Sequence, residues 1–303
     1  MTLAPAPFGR VLTAMVTPFR EDGSLDLAAA ARVAEHLVDH GNDGLVVSGT
    51  TGESPTTSAE EDGRLLRAVL EAVGDRATVV AGVGTNNTAH SVELAVQAEK
   101  LGATGTLVVT PYYNKPTQDG LAAHFEAVAD AAGLPVMLYD IPSRSSIAIA
   151  EDTYRRVAAH ERIVAVKDAV GDLYRGVRVM ADTGLAFYSG DDVLNLGWLT
   201  HGASGVVSVV GHVAGRRYAS MVEAVDRGDL DSALETYRAL VPVVDVIMHR
   251  AQGAMTAKAA LQVLGVLDGR HVRLPLVPAG DYLVAEIRTV LQRAGLLEEP
   301  SPK

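Results

Sequence analysis

Eight short valine-rich runs, apolar at almost every position, recur through the first two thirds of this chain. They are Val11–Val16, Gly44–Val47, Thr78–Val83, Thr106–Val109, Pro135–Tyr139, Ile163–Lys167, Leu185–Tyr188 and Gly205–Val210. A strand with water on one side alternates apolar and polar residues. Runs without alternation need cover on both faces, which parallel sheets flanked by helices supply. The segments between the runs are amphipathic. Ser58-Ala59-Glu60-Glu61 has the spacing of a capping box, and Leu65, Leu66, Val69, Leu70 and Val73 follow at helical spacing. Ala89–Leu101 and Leu121–Ala132 share that periodicity. Eight strands, each followed by a helix, is the count that closes a (β/α)8 TIM barrel. A doubly wound open sheet is the alternative with the same local pattern.

Beyond the eighth run the period changes. Tyr218–Val225, Asp231–Met248, Thr256–Leu264 and Asp281–Ala294 read as consecutive helices, punctuated by Gly228 and Pro275. The expected organisation is a catalytic barrel over residues 1–227 with a C-terminal helical region over 228–303, ending in a frayed tail, Glu298–Lys303. With 48% hydrophobic residues, the 303-residue chain can fill one large core. Its net charge of −11 argues against nucleic acid and anionic membrane as partners. It has no cysteine, which removes thiolate chemistry and disulfides. No basic leader precedes Val11–Val16, and no apolar run nears the ~18–20 residues of a membrane helix, so a cytoplasmic enzyme is expected.

In a barrel of this kind the chemistry sits at the C-terminal strand ends. Those ends carry Thr17, Ser48–Glu53, Gly84–Asn86, Thr110–Tyr113, Tyr139-Asp140, Lys167-Asp168 and Gly190–Asp192. Only five of the 26 basic residues are lysines, at positions 100, 115, 167, 258 and 303. Arginine serves wherever a generic charge suffices, so a lysine ending the run Ile163–Val166 invites a chemical explanation. Lysine can lose its proton and attack a carbonyl; arginine cannot. The competing readings are a lysine snorkelling from the rim or one paired with Asp168. Thr50 and Thr51, set between glycines before a helix, can hold a carboxylate through hydroxyls and free N–H groups, or simply fill a tight turn. Tyr139 lies one strand from Lys167, within reach as a proton relay; packing in the core is the plainer role. His36 and His40 have i, i+4 spacing, but their place at a helix C-terminus favours surface histidines over a metal pair. Gly82-Val83-Gly84 lacks the rest of a dinucleotide loop. No metal or cofactor is expected.

Gly49-Thr50-Thr51-Gly52-Glu53-Ser54, Thr110-Pro111-Tyr112-Tyr113, Tyr139–Arg144, Val166-Lys167-Asp168 and Ser189–Asp192, in that order, resemble the dihydrodipicolinate synthase / N-acetylneuraminate lyase family, in its actinobacterial dihydrodipicolinate synthase branch. The resemblance spans nearly the whole chain. It implies a homotetramer and a lyase that joins pyruvate to L-aspartate 4-semialdehyde in lysine and diaminopimelate biosynthesis. Lys167 would form the Schiff base, Tyr139 would be the central acid/base, and Thr50 and Tyr113 would complete the relay, Tyr113 reaching into a neighbouring subunit. Thr51 and the backbone at Val207 would hold pyruvate, with Gly190 also at the substrate. Arg144 would grip the semialdehyde's α-carboxylate; sugar-acid and sialic acid aldolases of the family usually carry an uncharged residue there. A sister aldolase and a non-catalytic keto-acid-binding barrel remain the alternatives. Asp140 and Ser145-Ser146 replace the commoner Asn and Thr-Gly. Ala59, Asp62 and His90 stand where lysine-inhibited members carry two histidines and a glutamate, while Ser54, Asn86 and Tyr112 match, so lysine inhibition is expected to be weak or absent.

Overall fold

A computed structural model describes residues 5–297; the expected tail Glu298–Lys303 lies outside the described residues. The eight runs become β1 (Val11–Ala14), β2 (Gly44–Val47), β3 (Thr78–Gly82), β4 (Gly105–Val109), β5 (Val136–Asp140), β6 (Ile163–Asp168), β7 (Ala186–Ser189) and β8 (Gly205–Ser208). All eight pair in parallel, and β8 returns to β1, so the sheet closes into a barrel and the open-sheet alternative falls away. Closure leaves no edge strand, and side chains serve strand N–H groups outside the ladder: Val11 donates to Asp43 at 2.8 Å and Val79 to Thr104 at 3.0 Å.

Along the outside run α1 (Leu27–Asp39), α2 (Ala59–Val73), α3 (Thr88–Leu101), α4 (Gln118–Ala131), the single turn α5 (Pro142–Ser145), α6 (Glu151–Val157), α7 (Leu173–Thr183), α8 (Asn195–Thr200) and α9 (Gly211–Asp226). The capping box is present: the Ser58 N–H donates to Glu61 at 3.0 Å, and the Glu61 N–H donates to the Ser58 hydroxyl at 3.2 Å. Then come α10 (Leu230–Met248), α11 (Gly253–Val263) and α12 (Asp281–Arg293). The helix expected at Tyr218–Val225 in fact begins at Gly211. Gly211, Gly215 and a non-helical residue at Ala214 obscure its first turns in the sequence.

Three apolar clusters hold this together. One fills the barrel, from Phe8, Leu12, Val46 and Val80 to Met137, Ala165, Tyr188 and Val207. A second lies between strands and helices, and a third joins α9 to α10, α11 and α12. Each fully buried valine or leucine is worth roughly 1.5–3 kcal/mol against its exposed state, which is why runs apolar on both faces settle here. His36 departs from expectation. It is half-buried rather than on the surface, stacked on His40 with centroids 4.2 Å apart, and its Nε2 lies 3.1 Å from the carbonyl of His212. Among the described residues no group of three or more potential ligands is placed to hold a metal ion. None of their helices is long and apolar enough to cross a membrane.

Candidate active site

Register carries Lys167 to its neighbours. Tyr139 of β5 pairs with Lys167 of β6, Lys167 pairs with Tyr188 of β7, and Asp140 pairs with Asp168. Lys167 Nζ sits 4.3 Å from the centroid of the Tyr139 ring. Both residues are almost wholly buried, yet both line a cavity of about 250 Å³ at the C-terminal mouth of the barrel. Thr50, Thr51, Arg144 and Gly190 line it too. An adjoining cavity of about 230 Å³ shares Thr50, Tyr139 and Arg144 and reaches Tyr112.

Lys167 has no hydrogen-bond or ion-pair partner among the described residues. The expected alternative partner, Asp168, accepts instead from the N–H groups of Val170 (3.0 Å) and Gly171 (3.1 Å). Burial leads and lowers the amine's pKa to about 8; Asp192 pulls it back up and Arg144 pushes it further down. At pH 7 about a tenth of such amines are neutral. Glycine at 190 is a spatial requirement. A Cβ there would lie 2.8 Å from the Asp168 carbonyl and 2.9 Å from Lys167 Cγ, so any side chain would displace the lysine stem.

Tyr139 is the proton-bearing partner. Burial raises its phenol to about 12, opposed by Arg144 and by a hydrogen bond with Thr50, so its hydroxyl keeps its proton at neutral pH. Behind the pair, Asp140 accepts from the Tyr154 hydroxyl at 3.0 Å and lies 3.5 Å from Arg175; burial lifts it to about 6. The β8 end is fixed by Asp192, which accepts from the N–H groups of Val209 (2.8 Å) and Val210 (3.1 Å) and from Ser208.

Two named residues lie apart from this constellation. Val207 is buried in the barrel interior, and the β8-side residue that lines the cavity is Val209. Tyr113 is 89% exposed with φ +75°, and within one chain it lines neither cavity. Sequence reading missed the cavity's outer wall, Met248, His249, Ala251, Gln252 and Gly253, from the α10–α11 junction. Nothing local marks that junction, since it is an ordinary break between two helices until the appendage folds back over the barrel mouth.

Residues 7–294 match the profile of the Dihydrodipicolinate synthetase family. The chain belongs to the dihydrodipicolinate synthetase family. It is 63% identical over 294 residues to the 4-hydroxy-tetrahydrodipicolinate synthase of Kineococcus radiotolerans, covering 97% of this chain and 96% of that one. It superposes on dihydrodipicolinate synthase from Cyanidioschyzon merolae with lysine bound at a TM-score of 0.93 and 41% identity, covering 97% and 100% of the two chains. The chloride-inhibited dihydrodipicolinate synthase from Acinetobacter baumannii complexed with pyruvate matches at a TM-score of 0.90 and 33% identity, covering 96% and 99%. Ser146 takes the left-handed conformation at φ +63°, which glycine adopts without a Cβ penalty.

Proposed function

We propose that this protein is a 4-hydroxy-tetrahydrodipicolinate synthase that condenses pyruvate with L-aspartate 4-semialdehyde through an imine at Lys167. The observation that carries the mechanism is a buried amine with no ionic partner, facing a cavity beside a protonated phenol. The neutral Lys167 amine attacks C2 of pyruvate. Tyr139 gives a proton to the departing hydroxyl, water leaves and the imine forms. Thr51 and its backbone hold the keto acid's carboxylate, and Thr50 returns the proton to Tyr139. Loss of a methyl proton gives the enamine, whose carbon adds to the aldehyde of the second substrate. That substrate's own amine then attacks the imine carbon, closing the ring and freeing Lys167.

Arg144, at the rim of both cavities, presents a fork of donors to the semialdehyde's α-carboxylate. That preference supports the semialdehyde over a polyol aldehyde. The exposed, left-handed Tyr113 fits a residue whose contacts come from a second subunit, and a cytoplasmic homotetramer is the assembly we assign. The test is chemical. Incubation with pyruvate followed by borohydride reduction is expected to add a reduced pyruvyl group to the peptide holding Lys167. Label on another side chain, or none, overturns the mechanism.

A further inference from the structure

Lys258, on α11 in the helical appendage, is as buried as Lys167 but takes no part in the cavity. Its Nζ donates to Glu53 Oε1 at 2.5 Å and to the carbonyl of His271 at 2.8 Å. Both side chains of this pair are only 1% exposed. The other Glu53 oxygen accepts the Arg273 N–H at 2.9 Å. Arg273 forks onto Glu61 at 2.5 and 2.8 Å and donates to the carbonyl of Thr56 at 2.7 Å. Phe19 is pressed between the cations, its ring centroid 4.3 Å from Lys258 Nζ and from Arg273 Cζ.

What this network grips is the turn that carries Thr50 and Thr51. Glu53 comes two residues after Thr51 and is left-handed at φ +58°, ψ 32°, a conformation a non-glycine residue keeps only where its surroundings impose it. Its N–H closes the turn on the Thr50 carbonyl at 3.1 Å. From the other side Thr17 donates to the Gly52 carbonyl at 2.7 Å. The hydroxyl and N–H groups facing the cavity are thus set by a residue whose own carboxylate points away from it, into a pocket built by a segment more than 200 residues later in the chain.

We infer that Glu53, held by Lys258 and Arg273, is a positioning residue for keto-acid binding: it fixes the strained turn so that Thr50 and Thr51 meet the substrate's carboxylate and the Tyr139 hydroxyl together. The inference rests on the imine reading above. Misplacement of about an ångström in such a turn weakens the contacts with the carboxylate and spoils the alignment of Thr50 with Tyr139. Loosening it therefore acts on the pyruvate half of the reaction, binding and imine formation alike, and spares capture of the semialdehyde, which uses Arg144 and the enamine.

The experiment compares full-length parent, Glu53→Gln and Arg273→Lys by steady-state kinetics and borohydride trapping at graded pyruvate. Glu53→Gln is expected to raise the pyruvate KM about tenfold and to slow trapping equally at subsaturating pyruvate. Its kcat at saturation should fall by no more than about tenfold, through the Thr50–Tyr139 alignment, and kcat/KM for the semialdehyde should not move. Arg273→Lys keeps a cation but loses the fork, and should shift the pyruvate KM the same way by less; it carries the test if Glu53→Gln does not fold. A merely structural pair would lower thermal stability and active fraction, leaving the pyruvate KM of the folded variants at the parent value, and that result overturns the inference. Failure of the parent to be trapped at Lys167 strikes the proposed function instead, so the two failures are separable.

Discussion

Lys167 and Lys258 are two buried lysines in two regions of one molecule, each lowered to about 8 with burial as the leading cause. Their surroundings differ. Lys258 has a carboxylate at 2.5 Å and a carbonyl at 2.8 Å, and Glu53 works against the burial, so its N–H donors are already committed within the protein. Lys167 has an aromatic face and a cavity. Burial of an amine alone does not make a nucleophile. Burial without a hydrogen-bonded partner, beside open space, leaves an amine available to a ligand; the same group given a partner becomes a staple between barrel and appendage.

The largest effect that can break this contrast is at Lys167. Lys167→Arg keeps the charge but cannot lose the proton, so kcat is expected to fall at least ~1,000-fold with trapping abolished and the fold intact by circular dichroism. Turnover near the parent rate would assign the chemistry elsewhere. Lys258→Met should instead cost stability. It leaves Glu53 buried without its cation, a loss of about 3–5 kcal/mol, read as a fall of roughly 10 °C in Tm. Lys167→Met, which strands no carboxylate in contact, should change Tm by only a few degrees. Equal losses in the two variants would erase the distinction.

Next comes the pH profile of imine formation. Only the neutral amine attacks, so the single-turnover rate should climb about 50-fold from pH 6 to pH 8 and level off above the Lys167 pKa of about 8. A rate flat across that range would mean the amine is already neutral or is not the nucleophile.

A smaller effect sharpens the picture behind the site. Asp140 is raised from 3.8 to about 6, first by burial. The folded state therefore holds its proton more tightly, and the stability so contributed is complete below about pH 4 and lost as pH rises through about 6. Asp140→Asn should remove about 2 kcal/mol of that acid-side dependence, measured as the parent-minus-variant difference in unfolding free energy across pH 4–6.5. Asp168, also raised to about 6, retains its share. Smallest of all is the response to L-lysine. Asp62 Oδ1 is held by hydrogen bonds from Ser48 and Thr57, each at 2.8 Å, which tie the short carboxylate to its own turn, so millimolar lysine should change turnover less than twofold. Strong inhibition would refute this.

Much of the site was readable before folding because strand ends are local features. The unbroken apolar run ending at Lys167 placed the amine at the mouth of a barrel, and a phenol one strand away followed from the spacing of parallel strands. The pair Tyr139↔Lys167 in the register bears out that placement. The Ser58–Glu61 box was legible because its bonds lie within four residues. Lys258 stood in the same count of five lysines but looked like any helical residue, because its partner lies 205 positions away.

Periodicity and strand-end chemistry, both properties of a few neighbouring residues, determined from the sequence alone the barrel, the order of its elements and the place of a lysine at the end of β6. Whether that amine is paired, which wall closes the cavity, and what holds the threonine turn in a left-handed strain were decided only by the tertiary structure. Desolvation and ion pairing depend on which distant groups come within a few ångströms, and it is the closing of the barrel and the return of α10 and α11 over its mouth that bring them there.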